Sequence, residues 1–122
     1  MKNEFIPFQQ ALELKELGFD EPCFGKIYAD GGSEQLSYPY KNSDQIGKVT
    51  SCSAPLYQQA FRWFREKYNA HIYPEKFTDN TWYVSWGDWE SPVFETYEEA
   101  ELECLNKLIR IVKKYYDNGG TL

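Results

Sequence analysis

Cys23-Phe24-Gly25-Lys26-Ile27-Tyr28-Ala29-Asp30-Gly31-Gly32-Ser33-Glu34-Gln35-Leu36-Ser37-Tyr38-Pro39-Tyr40 is the stretch on which the fold class turns. Cys23 to Ala29 reads as a strand and Asp30-Gly31-Gly32 as a tight turn. Glu34 to Tyr40 returns as the partner strand, with Leu36, Tyr38 and Tyr40 alternating onto one face. A strand that comes straight back through a short turn pairs antiparallel. A parallel neighbour would need a crossover of roughly a dozen residues or more, and none fits here.

Upstream, Phe8, Ala11, Leu12, Leu14 and Leu17 give a broad apolar face to a short helix over Pro7 to Leu17. Proline suits a first helical turn, where its missing N–H has no partner to lose, and Gly18 supplies a left-handed stop. Downstream, Lys41 to Ser53 turns polar and reads as a long loop. In the second helix Ser53 acts as cap, Pro55 sits in the first turn, and Tyr57, Ala60, Phe61, Phe64 and Tyr68 keep helical spacing.

Short strands are predicted at His71 to Tyr73 and at Thr81 to Trp86, with a turn at Asp79-Asn80 before the latter. Trp82, Val84 and Trp86 point one way and Thr81, Tyr83 and Ser85 the other. Gly87-Asp88 turns into a further short strand within Trp89 to Phe94. Thr96-Tyr97-Glu98-Glu99 is a capping-box pattern that opens a third helix, with its acids in the first half and Lys107, Arg110, Lys113 and Lys114 in the second. Residues 117–122 are expected to fray. The order helix, two strands, helix, two or three strands, helix predicts a single α+β domain over 1–122. Its largely antiparallel sheet has four to five strands, covered by three helices as a sandwich.

Composition supports folding and narrows the chemistry. Ten tyrosines, eight phenylalanines and four tryptophans in 122 residues supply bulky material for a dense core. The chain has a net charge of −6, which favours solubility and works against general phosphate binding. Its three cysteines and one histidine follow no disulfide or metal-site spacing, so no cofactor and no metal is expected. Met-Lys-Asn-Glu-Phe-Ile-Pro at the start lacks the apolar core of a signal peptide, and a cytoplasmic location is expected.

Cys52 is the sharpest catalytic candidate, because a thiol just ahead of a helix start can be drawn toward the nucleophilic thiolate. His71 is the one imidazole available as its base, but the helix between them, about 22 Å long at 1.5 Å per residue, sets them at opposite ends. Cys104 on the apolar stripe of the third helix, and Cys23 at the start of a strand, read as small hydrophobes. Asp88, Glu90 and Glu95 flank the tryptophan-rich hairpin, and their ordinary role is in turns and strand edges. The basic faces holding Arg62, Arg65 and Lys67, and Lys107, Arg110, Lys113 and Lys114, would carry a nucleic-acid contact if they converged near Trp63 and Tyr116.

For binding, the candidates are Trp63, Trp82, Trp86 and Trp89. Strand alternation favours Trp82, Trp86 and Trp89 as core, whereas Trp63, among Arg62 and Arg65, is the ring expected at the surface.

Three segments together are similar to one family: Gln10 to Cys23, Ala54 to Tyr68, and Phe94 to Ala100 leading to Cys104-Leu105-Asn106-Lys107-Leu108-Ile109. They resemble a family of small uncharacterised proteins of gut Bacteroidetes and their phages or prophages. The resemblance implies a cytosolic accessory protein encoded by a mobile element, and it transfers no catalytic residue. The expected function is therefore a non-enzymatic interaction module with a protein partner rather than nucleic acid or a membrane, with self-association left open. The alternatives are a small cysteine-dependent enzyme using Cys52 and a nucleic-acid-associated phage factor using the basic helix faces.

Overall fold

In a computed structural model that describes residues 5–30, 32–44 and 51–117, the hairpin forms: β1 (Cys23–Tyr28) pairs antiparallel with β2 (Ser33–Tyr40). The Asp30 carboxylate accepts the Gly32 N–H at 2.8 Å, and the Tyr28 N–H donates to the Gly32 carbonyl at 2.8 Å, closing the turn. Gly25 pairs with Gln35 but Cys23 with Tyr40, so Leu36 to Pro39 bulge opposite Phe24. Leu36 and Tyr40 are buried, but the predicted alternation fails at Tyr38, which is 62% exposed. Pro39, lacking an N–H, sits in the bulge rather than in a regular stretch of ladder.

The three helices and antiparallel strands make the architecture α+β. Instead of one sheet, the described strands form a three-stranded sheet in the order β2-β1-β3 and two two-stranded sheets. The chain divides into two compact units, Met1–Gln59 and Ala60–Leu122.

In Met1–Gln59, α1 (Phe8–Glu16) packs on β3 (Ser51–Ala54). Pro7 is at the helix N-cap, and Gly18, at φ 96°, ends the helix. The Gly18 N–H reaches the Lys15 carbonyl at 3.0 Å and the Phe19 N–H reaches Leu14 at 2.9 Å, a Schellman closure with Leu14 and Phe19 both buried.

The predicted polar loop is largely replaced. Asn42–Asp44 is a 3-10 turn, residues 45–50 lie outside the described residues, and Ser51–Ala54 is a strand rather than a helix cap. β3 pairs with β1 from Gly25↔Ala54 to Tyr28↔Ser51. All four of its residues are buried, so the strand has no polar-out alternation to read. Asn42 anchors the region: its amide donates to the Phe19 carbonyl at 2.8 Å and accepts the Ser53 N–H at 2.9 Å.

In Ala60–Leu122, the latter part of α2 (Tyr57–Tyr68) ends at Asn69, whose φ of 54° makes it the left-handed stop. The strand predicted at His71 to Tyr73 is absent. Pro74 cannot donate to a ladder, and β4 (Glu75–Thr78) begins after it to pair with β5 (Thr81–Tyr83).

The longer predicted strand breaks at Val84. Ser91 captures both backbone groups there: its Oγ accepts the Val84 N–H at 2.9 Å, and its N–H donates to the Val84 carbonyl at 2.8 Å. Beyond the break, β6 (Ser85–Trp86) pairs with β7 (Trp89–Glu90), and Trp82 makes an isolated bridge to Phe94.

α3 (Tyr97–Asp117) packs on β5. Thr96 caps it, accepting the Glu99 N–H at 3.2 Å and donating to the Glu99 carboxylate at 2.9 Å. Ala100, Cys104, Leu105, Leu108, Ile109, Ile111 and Val112 are buried on it, whereas Tyr97 at its start is exposed. The rest of the predicted frayed tail, 118–122, lies outside the described residues.

Candidate functional site

The three thiols are free and buried. Cys52 is not ahead of a helix but inside β3, opposite Ile27 and fully buried. Burial holds its thiol above the ordinary range. The Lys15 charge pulls the other way without reversing the direction, and Glu16 adds to the rise. Lys15 Nζ is itself buried and has no hydrogen-bond partner among the described residues.

Cys23 is pushed up to about 11, chiefly by burial, and its thiol donates to the Glu21 carbonyl at 3.4 Å. Cys104 is raised further by burial and the nearby Glu101 and Glu103, and its thiol donates to the Ile72 carbonyl at 3.2 Å. A thiol held in the neutral form is a poor nucleophile.

His71 is exposed, with its Nε2 3.0 Å from the Asn69 side-chain oxygen. It belongs to Ala60–Leu122, and Cys52 to Met1–Gln59. Asp88, Glu90 and Glu95 are exposed. Among the described residues no group of three or more His, Cys, Asp or Glu side chains is placed to hold a metal, and no helix is long and apolar enough to cross a membrane.

Met1–Gln59 carries a cavity of about 180 Å³ over β1, lined in part by Phe5, Gly25, Lys26, Glu34 and Ala54. Its charged groups are already engaged. Lys26 Nζ lies 4.7 Å from the Tyr40 ring centre and 5.5 Å from that of Tyr28, while Glu34 accepts the Tyr28 hydroxyl at 2.9 Å.

The tryptophans separate into different roles. Trp63, expected at the surface, is only 7% exposed. It meets Phe64 edge-on at 5.0 Å and Tyr68 at 5.5 Å, with Lys67 Nζ 5.2 Å from its ring centre. Tyr57, Ala60, Phe61, Trp63 and Phe64 are all buried, so the covered side of α2 is wider than the stripe used to assign it. The other three tryptophans, favoured as core, are only partly covered: Trp82 and Trp89 are half-buried and Trp86 is 36% exposed. Trp82 packs edge-on with Tyr97 at 6.2 Å.

Trp86 and Trp89 face each other as the closing pair of the β6–β7 hairpin. Gly87, at φ 59° with open space around it, takes the first turn position, where a two-residue turn of the II′ kind requires positive φ. The turn thus holds the Trp86 indole at a hairpin tip. Phe77 on β4 is 62% exposed, with its ring 5.9 Å from Tyr83.

The cations of α3 are plain in the sequence, but their meeting with this hairpin is not. Lys107 Nζ lies 4.4 Å from the Trp89 ring centre and the Arg110 guanidinium carbon 6.0 Å from it. Of the other basic residues, Arg62 pairs with Glu66 at 3.5 Å and Arg65 lies 5.7 Å from the Tyr73 ring centre. Geometrically, this is a surface on which rings and cations meet, and the three free thiols of the chain are buried. Compared with protein-family models, with curated proteins and with solved structures, the chain matches none of them.

Proposed function

We propose that this chain is a non-enzymatic interaction module that engages a protein partner through the aromatic hairpins of Ala60–Leu122. The resemblance of its helical segments extends the proposal to an accessory role in a phage- or prophage-encoded system in the cytoplasm. The observation that carries the reading is Trp86, a large indole left 36% exposed at the end of β6, beside a turn of two residues. Tryptophan is the residue type most enriched among the few side chains that dominate binding energy, and such an anchor works best when held rigid before contact. The buried, neutral thiols support binding over cysteine chemistry.

Site-specific photocrosslinking in cells of the native host tests this. A benzophenone amino acid replacing Trp86 is expected to yield an adduct of discrete mass that the same probe at exposed Gln58 does not. Failure to obtain any adduct specific to position 86 overturns the reading.

A further inference from the structure

We infer that the Trp86–Trp89 hairpin and the Lys107, Arg110 and Lys114 face of α3 form one docking strip for an acidic peptide segment, which receives carboxylates on the cations and an apolar side chain on Trp86. This rests on the interaction reading above and names the chemistry of its partner.

Positions 107, 110 and 114 follow i, i+3, i+7 and share one helix face. Trp89 ties the hairpin to that face, with Lys107 and Arg110 at 4.4 and 6.0 Å from its ring centre. Trp86 is its cross-strand partner, so an exposed indole adjoins a row of cations.

The row is electrostatically crowded. Burial depresses the Lys107 ammonium pKa, and the Arg110 and Lys114 charges depress it further, while Glu103 opposes them. Glu103 also bridges Arg110 at 3.2 Å. Helix-dipole stabilisation accounts for Lys114 in the last turn, but that effect fades within a turn and does not account for Lys107 and Arg110. An anionic partner would relieve the crowding.

A short peptide is favoured over nucleic acid by the length of the cationic row. From 107 to 114 the face runs about 10 Å at 1.5 Å per residue, roughly three residues of an extended peptide. Glu103 lies on the same face and the exposed Asp88 and Glu90 flank Trp89 on the hairpin, so the positive stretch is short. It suits the few carboxylates of a peptide, whereas a longer phosphate backbone would run on into the acidic remainder of the chain.

The test is fluorescence anisotropy of the purified full chain against three labelled probes. They are a ten-residue peptide alternating Glu and Leu, the same peptide with Lys for Glu, and a ten-nucleotide oligothymidylate. The Glu peptide is expected to bind about tenfold or more tighter than the Lys peptide, and Lys107→Glu/Arg110→Glu to weaken it by about tenfold. Lys114→Glu, at an exposed position, is expected to weaken it about threefold and keeps the test readable where the double variant does not fold.

Equal binding of the two peptides, or indifference to charge reversal, overturns the inference; tighter binding of oligothymidylate overturns it in favour of a single strand. A position-86 adduct that survives charge reversal unchanged leaves the interaction reading standing while this inference falls. Loss of that adduct with the Glu peptide still bound has the opposite meaning.

Discussion

β3 in Met1–Gln59 and β4 in Ala60–Leu122 are both four residues long, yet every residue of the first is buried and every residue of the second is exposed. Ser51-Cys52-Ser53-Ala54 is small and half polar, whereas Glu75-Lys76-Phe77-Thr78 includes a phenylalanine. Hydropathy alone would not sort them this way. β3 runs beside β1 with α1 packed on it, so only small side chains fit, and the Ser53 N–H is satisfied by Asn42. β4 has β5 on one side and keeps a ring in solvent. What covers a strand decides its burial, and an uncovered ring invites a functional explanation.

The sharpest way to break this contrast is at Gly25, which lies opposite Ala54 of β3. A Cβ there would overlap the Ala54 carbonyl and the Phe5 ring, and a backbone carbonyl held in a ladder cannot step aside. Gly25→Ala is expected to cost about 3 kcal/mol, read by chemical denaturation. A near-neutral result would mean that β1 and β3 are not held this closely.

A smaller effect comes from the thiols. Cys23, pushed up to about 11 from 9.0, stays protonated in the fold at pH values where the unfolded chain has already ionised. Its contribution is therefore complete below about pH 9 and is lost as pH rises toward 11, and the raised thiols of Cys52 and Cys104 act in the same direction. The melting temperature should fall across that window. Tyr28 and Tyr68, also raised, steepen the fall, so comparison with Cys23→Ala isolates the thiol. An identical slope in the variant would contradict a desolvated Cys23.

Least of all should happen on β4. Phe77→Ser is expected to change stability by less than about 0.5 kcal/mol, because the ring is mostly in water. A substantial loss would show that Phe77 is structural rather than available to a partner.

Legibility in the sequence followed the same line. The β1–β2 hairpin, α2 and α3 were readable because turn residues, helical spacing and the Thr96 cap are local signals. So was the Gly18 stop. β3 was not, because a strand covered on both faces by small side chains has neither alternation nor bulk. The break at Val84 was hidden for a related reason: Ser91 reaches it from seven residues away, and nothing in a strand pattern reveals that bond.

For the site, Trp82, Trp86 and Trp89 were nameable from composition and turn placement. The sorting of Trp63 from Trp86 was not, since it depends on the width of a buried helix face. The meeting of Trp89 with Lys107 and Arg110 belongs to tertiary packing between a hairpin and a helix.

The side chain of Asn42 donates to one backbone carbonyl and accepts from one backbone N–H, and only an amide can do both in that orientation. A carboxylate in place of that amide would set oxygen against oxygen at Phe19. Asn42→Asp, nearly identical in shape, would therefore loosen Met1–Gln59 through a single misplaced lone pair.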